Sequence, residues 1–78
     1  MDTRERIKTY AAHGGAWSYL EEELILEGFS ESLAKEFCSR CRYSLGQATA
    51  DIALIAYDQW KKERNEDVVK TVFALAGL

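Results

Sequence analysis

Apolar residues recur along the chain every three to four positions, the interval that places side chains on one face of an α-helix. Alternation of apolar and polar residues, the mark of a half-buried strand, is absent, although the β-branched run from Val68 to Phe73 is compatible with either state. Proline, which interrupts helices, does not occur. The pattern therefore predicts an all-α fold.

Four short signals divide this pattern into separate helices. The pair Gly14 and Gly15 favours a helix end, and so does Gly28. Ser30 is a strong N-cap for the segment that follows it, and Asn65 can stop one helix or cap the next. The predicted helices run from Asp2 or Thr3 to His13, over about Ala16–Glu27, from Ser30 to about Ser44, over about Gln47–Arg64, and from Glu66 onwards.

These helices are predicted to form a compact bundle of four to five members in one domain, residues 1–78. A chain of this length has room for one core and buries only roughly 60% of its unfolded surface. The fourth helix is apolar around much of its circumference, so we expect it to be central and covered on more than one side. The expected core-facing residues are Trp17, Leu20, Leu24, Ile25 and Leu26 on the second helix, and Leu33, Ala34, Phe37, Cys38, Cys41 and Leu45 on the third.

Charge and hydropathy narrow the classes of partner that the protein is expected to bind. The net charge is −3, whereas nucleic-acid-binding proteins normally carry a basic excess. Acidic residues concentrate in 16–36 and basic residues in 37–64. The first residues are too polar for a signal peptide, and the longest apolar run, around 52–57, is far shorter than the ~20 residues of a bilayer span. We therefore expect a cytoplasmic protein with no membrane partner.

Motifs that carry chemistry are few. Cys38 and Cys41 form a C-x-x-C pair, but it lies in the middle of a predicted helix and not at a helix start, where the dipole lowers a thiol pKa. A zinc site needs two further ligands, and the only histidine is His13. We expect buried structural thiols, no metal, no cofactor and no enzyme activity. Asp51, among apolar residues, is a candidate buried acid with a structural partner on the third helix.

The leading functional hypothesis is a small non-enzymatic protein–protein interaction module: a regulator, inhibitor or adaptor, with phage- or plasmid-type modulators as the analogy. It would act through an acidic and aromatic helical surface, because exposed aromatic rings are common interface anchors. The acidic ridge, formed by Glu21, Glu22, Glu23 and Glu27, is also typical of a solvated helix face. The alternative for Trp60 is a half-buried lid at the end of its helix. The candidate partner-binding residues are Glu21, Glu22, Glu23, Glu27, Trp17 and Trp60.

A homodimer formed through the fourth or fifth helix is also expected, because small cores often need oligomeric support. The alternative function is a helix-turn-helix-like DNA-binding transcriptional regulator, since 24–37 is predicted to form a helix, a glycine turn and a second helix. Basic and hydroxyl side chains on that second helix suit phosphates and base edges, but the acidic ridge would repel DNA. The candidate nucleic-acid-binding residues are Lys35, Ser39, Arg40 and Arg42.

Overall fold

Side-chain caps fix where three of the helices begin. The computed structural model describes all residues, 1–78. Asp2, Ser30 and Asn65 each accept a hydrogen bond from a backbone N–H in the first turn of the helix that follows. The all-α prediction and its division into helices are confirmed. The five helices are α1 (Thr3–His13), α2 (Trp17–Glu27), α3 (Glu31–Arg42), α4 (Gln47–Glu63) and α5 (Glu66–Leu75).

The turn between α2 and α3 depends on Gly28. Its φ of 124° lies in a region that side chains disfavour. The Gly28 and Phe29 N–H groups donate to the carbonyls of Ile25 and Leu24, which satisfies the last turn of α2. Arg64 closes the same end of the molecule, because its guanidinium donates to the Glu27 carbonyl at 3.1 Å. The hydrogen bond from Arg64 therefore connects the end of α2 to the segment that follows α4.

Aromatic rings form the centre of a single hydrophobic core. Phe37 is completely buried and meets Phe29 and Phe73 edge to face, at centroid distances of 5.8 and 5.3 Å. Phe29 also contacts Trp60 at 4.4 Å, and Trp60 stacks near Tyr57. These contacts tie α3, α4 and α5 together, and all the buried apolar residues belong to one cluster.

The central position predicted for α4 is confirmed. α4 packs mainly against α1 on one side and α5 on the other, while α2 packs against α3 and α1. Its core side carries Ala50, Ala53 and Ala56, each with no exposed surface, so the neighbouring helices pack close to the α4 backbone. None of the five helices is both long enough and apolar enough to cross a bilayer.

Some residues expected in the core lie at the surface. Leu26 is 86% exposed and Ile25 40%, because Leu24 faces the core and Leu26 lies about 200° further around the helix. Leu45 is exposed because α3 ends at Arg42, before the helical spacing reaches it. Asp51 is also exposed and accepts a hydrogen bond from Gln47 at 2.9 Å, so the expected buried pairing with α3 is wrong.

Candidate functional site

The outer side of α2 carries apolar side chains that remain exposed in the fold, although the Arg6 guanidinium lies over the Tyr19 ring, 4.6 Å from its centre. Leu26 is 86% exposed, Tyr19 52% and Ile25 40%. Glu22 is also exposed and lies between them, three residues after Tyr19 and four before Leu26, which places all of them on neighbouring turns. We call Tyr19, Glu22, Ile25 and Leu26 the α2 outer face.

This face exists because α2 is apolar on two sides. Leu20 and Leu24 are buried where α2 packs against α3 and α1. No other helix packs extensively on α2, so the opposite side meets solvent. Ile25 and Leu26 are the sequence signal for this exposed side. Helical spacing places Leu26 about 200° around the helix from Leu24, so the two leucines could have been assigned to opposite sides of α2.

The predicted acidic ridge is split between solvent and the interior. Glu22 is exposed and Glu21 partly buried. Glu23 is only 17% exposed and binds the Arg6 guanidinium at 2.6 Å. Glu27 is 26% exposed and accepts a hydrogen bond from Tyr57. Because successive residues lie about 100° apart on a helix, these adjacent glutamates do not share one face. Glu22 is exposed on the outer side of α2, and Glu21 lies partly buried at its edge.

The two tryptophans occupy different environments. Trp60 is 2% exposed, lies against Phe29 and is covered by the Arg64 guanidinium, 4.7 Å from the ring centre. It is a core residue and does not form part of a surface, which removes it from the predicted partner-binding set. Trp17 is partly buried and packs edge to face on Tyr10 at 5.9 Å. Trp17 therefore lies at the border of core and surface.

The four residues of the nucleic-acid alternative lie on α3, all of them exposed. Lys35 is paired with Glu31 at 3.0 Å, and Arg40 with Glu36 at 3.3 Å. Arg40 also donates to the backbone carbonyl of Leu78. Ser39 and Arg42 point outwards without such carboxylates, and the Arg42 guanidinium lies 5.9 Å from the ring centre of Tyr43. The pairing of two cations out of three reduces the positive potential of this face.

A polar link between α2 and α4 joins residues that are distant in sequence. The Tyr57 hydroxyl donates to the Glu27 carboxylate at 2.6 Å, and the Lys61 ammonium lies 3.8 Å from the same carboxylate. Burial raises the pKa of Tyr57, and the bond to Glu27 raises it further. Burial alone would raise the pKa of Glu27, but the bond from Tyr57 and the charges of Lys61 and Arg64 outweigh it and hold that pKa below its ordinary value. Tyr57 therefore remains a protonated donor and Glu27 an ionised acceptor, so the role of this hydrogen bond is structural.

Removing this hydrogen bond is expected to destabilise the fold in a pH-dependent way. Tyr57→Phe should lower the free energy of unfolding by about 1–2 kcal/mol at pH 7, because Glu27 loses its donor. The folded-state pKa of Glu27 is depressed, so its contribution is present above the unfolded value of about 4.3 and is lost as the pH falls through the folded value. Urea unfolding followed by circular dichroism should show the gap in stability between wild type and variant narrowing as the pH falls below the unfolded value of about 4.3. A gap that does not change with pH would contradict this assignment.

The cysteines are buried thiols, as predicted. Cys38 and Cys41 are 1% and 0% exposed and form no disulfide. Burial raises the pKa of each thiol to about 12, so neither is a thiolate at neutral pH. No group of three or more His, Cys, Asp or Glu side chains comes together in a way that would hold a metal ion.

No protein-family model, curated protein or solved structure matches this chain. Function is therefore inferred from the surface itself.

Proposed function

We propose that this chain is a small non-enzymatic protein–protein interaction module, a regulator, inhibitor or adaptor, that binds its partner through the α2 outer face. The observation that carries the proposal is the 86% exposure of Leu26 in the company of Tyr19 and Ile25. Single exposed apolar residues are ordinary, but three within two helical turns form a patch of the kind found at protein interfaces. Burying one leucine fully is worth about 1.5–3 kcal/mol.

The chemistry of this face indicates the kind of partner. An amphipathic helix binds into a hydrophobic groove through apolar anchors spaced by three, four and seven residues, and Tyr19 and Leu26 have this spacing. Glu22 between them, with Glu21 at the edge, favours a lysine or arginine beside the groove. The net charge of −3 would also speed association with a basic partner. The proposed partner is thus a protein with an apolar groove bordered by cations.

The nucleic-acid alternative has less support. Of its three cations, Lys35 and Arg40 are already paired with carboxylates on the same helix. If it held, duplex binding would weaken steeply with salt, and alanine at Lys35 and Arg42 would weaken it further without unfolding the domain. Unchanged duplex affinity in that double variant would contradict the alternative.

The proposed function is tested by comparing two equally exposed leucines. Tagged protein at low concentration is used to capture partners from lysate of its native source, with and without nuclease treatment. Leu26→Lys should reduce capture of the partner at least tenfold, because it places a charge on an apolar anchor, and Glu22→Lys should also weaken it. Leu75→Lys on α5, where the leucine is 85% exposed, is the matched control and should capture normally.

Circular dichroism must show unchanged helicity in all three variants. Equal capture by wild type and Leu26→Lys would contradict the proposal. Enrichment that disappears on nuclease treatment would contradict it as well and would favour the nucleic-acid alternative.

A further inference from the structure

The Arg6 side chain reaches from α1 to the α2 outer face. Its guanidinium lies over the ring of Tyr19, the aromatic residue of that face, 4.6 Å from the ring centre. Arg6 also binds Glu23, which follows Tyr19 by four residues and therefore lies one turn along the same side of α2. One arginine of α1 thus contacts both a carboxylate and an aromatic ring of α2.

Hydrogen bonds fix the orientation of this guanidinium. The Arg6 Nε donates to both oxygens of the Glu23 carboxylate, at 2.6 and 3.2 Å, and Nη2 donates to the Met1 carbonyl at 3.3 Å. The Arg6 and Glu23 side chains are only 19% and 17% exposed, so salt and water screen their pairing less than that of a surface pair. The Tyr19 ring therefore rests on a cation that is itself held in place.

The more exposed Tyr43 lacks this arrangement. The nearby cation is Arg42, the preceding residue in the sequence, and its guanidinium lies 5.9 Å from the Tyr43 ring centre. Arg42 is itself exposed, and none of the ion pairs includes it. The contact at Tyr43 thus joins two neighbours in the sequence, whereas the contact at Tyr19 joins two helices and ends in an ion pair.

We propose that Arg6 is a positioning residue of the partner-binding site, which holds the Tyr19 ring in the rotamer that the groove of the partner receives. This inference rests on the proposed function, because it concerns the same face. Arg6 acts through Tyr19 and does not serve as an anchor itself, since its charge is already paired with Glu23.

The benefit for binding is entropic. An exposed tyrosine normally samples several staggered χ1 rotamers, and a partner that fixes one of them must offset the lost freedom. A ring already held against Arg6 has less freedom to lose on binding. Ordering one side chain of this size changes an affinity by between about two- and tenfold, so the loss of Arg6 should weaken binding without abolishing it.

Arg6→Lys tests the positioning while it keeps the charge. A lysine ammonium has no planar fork, so it cannot bind the Glu23 carboxylate through Nε and cover the Tyr19 ring at the same time. Three-bond couplings to the Tyr19 Cγ, measured by nuclear magnetic resonance, should report one dominant χ1 rotamer in the wild type and mixed rotamers in Arg6→Lys. Arg4→Lys is the matched control, because Arg4 makes a bidentate pair with Asp58 on the same helix, at 2.9 and 3.0 Å, away from Tyr19.

Competition measures the effect on binding. Untagged variant is added in increasing amounts while tagged wild type captures its partner from the lysate, and the concentration that halves the capture gives a relative affinity. Arg6→Lys should need between about two and ten times the wild-type concentration, whereas Arg4→Lys should match the wild type. In a Tyr19→Leu background, Arg6→Lys should cause no further loss, because there is no ring left to position.

Two results would overturn the inference alone: Tyr19 couplings that are the same in wild type and Arg6→Lys, or a loss of affinity that persists in the Tyr19→Leu background. Since Arg6→Lys can also weaken the fold, Arg6→Met combined with Glu23→Gln is a second variant that leaves no unpaired charge and should show the same mixing of Tyr19 rotamers. Equal capture by wild type and Leu26→Lys would overturn the proposed function, and this inference with it. Lost capture in Leu26→Lys with unchanged competition by Arg6→Lys would contradict only the role of Arg6.

Discussion

Phe37→Ala is expected to lower the free energy of unfolding by about 3–5 kcal/mol, the usual cost of removing a buried aromatic ring. Phe37 is completely buried and contacts Phe29 and Phe73, so the cavity would lie where α3 and α5 meet the aromatic centre of the core. A chain of 78 residues has a total stability of about 4–12 kcal/mol. The variant should therefore lose between about a quarter and all of this stability, and it unfolds at 25 °C where the total lies at the lower end of the range.

Urea unfolding followed by circular dichroism measures this effect. Since the alanine variant can fail to fold, Phe37→Leu provides a graded value, with an expected loss of about 1–2 kcal/mol. Leu26→Ala is the matched surface control and should change stability by less than ~0.5 kcal/mol, because Leu26 is 86% exposed. Similar stabilities for Phe37→Leu and wild type would contradict the central position given to this ring.

Ala53→Leu is expected to destabilise the fold by about 1–3 kcal/mol although it adds apolar surface to the core. If the side chain fitted, three added carbons would contribute about 2.4 kcal/mol of favourable burial at ~0.8 each. They do not fit, because Ala53 has no exposed surface on the side of α4 where the neighbouring helices pack closely. Overpacking then outweighs the gain in burial.

Ala48→Leu is the control for this substitution. Ala48 is an exposed residue in the first turn of the same helix, so added carbons reach solvent and stability should change by less than ~0.5 kcal/mol. The difference in thermal unfolding midpoint between Ala53→Leu and Ala48→Leu measures the cost of the close packing around Ala53. A stabilised Ala53→Leu would show that α4 has room beside it and would contradict the packing described.

Local signals were sufficient to predict the helices. Gly28 and the caps at Ser30 and Asn65 act within one turn of the backbone, so their effect follows from the neighbouring residues alone. The apolar character of α4 likewise predicted its central position, because few other places in a small bundle cover a helix on more than one side.

The exposed residues were predicted less well than the helices, because the exposure of a side chain depends on which other helices pack beside it. Ile25 and Leu26 are apolar and were assigned to the core, but α2 has helices on one side only. Trp60 was a candidate for the partner-binding surface, with a half-buried lid as the alternative, yet Phe29 and Arg64 enclose it from other segments of the chain. The bond between Glu27 and Tyr57 spans 30 residues and has no local signal.

The α2 outer face joins apolar anchors to negative charge, which suits a basic groove on another protein. Site-specific photo-crosslinking is the most direct test of the central claim that the α2 outer face binds another protein. A photoreactive amino acid replaces Leu26 in one protein and Leu75 in another, and each is irradiated in cells of its native source. We expect position 26 to yield an adduct with a different protein, while position 75, an equally exposed leucine outside the α2 outer face, should not yield that adduct. No heterologous adduct at position 26, or the same adducts at both positions, would contradict this claim.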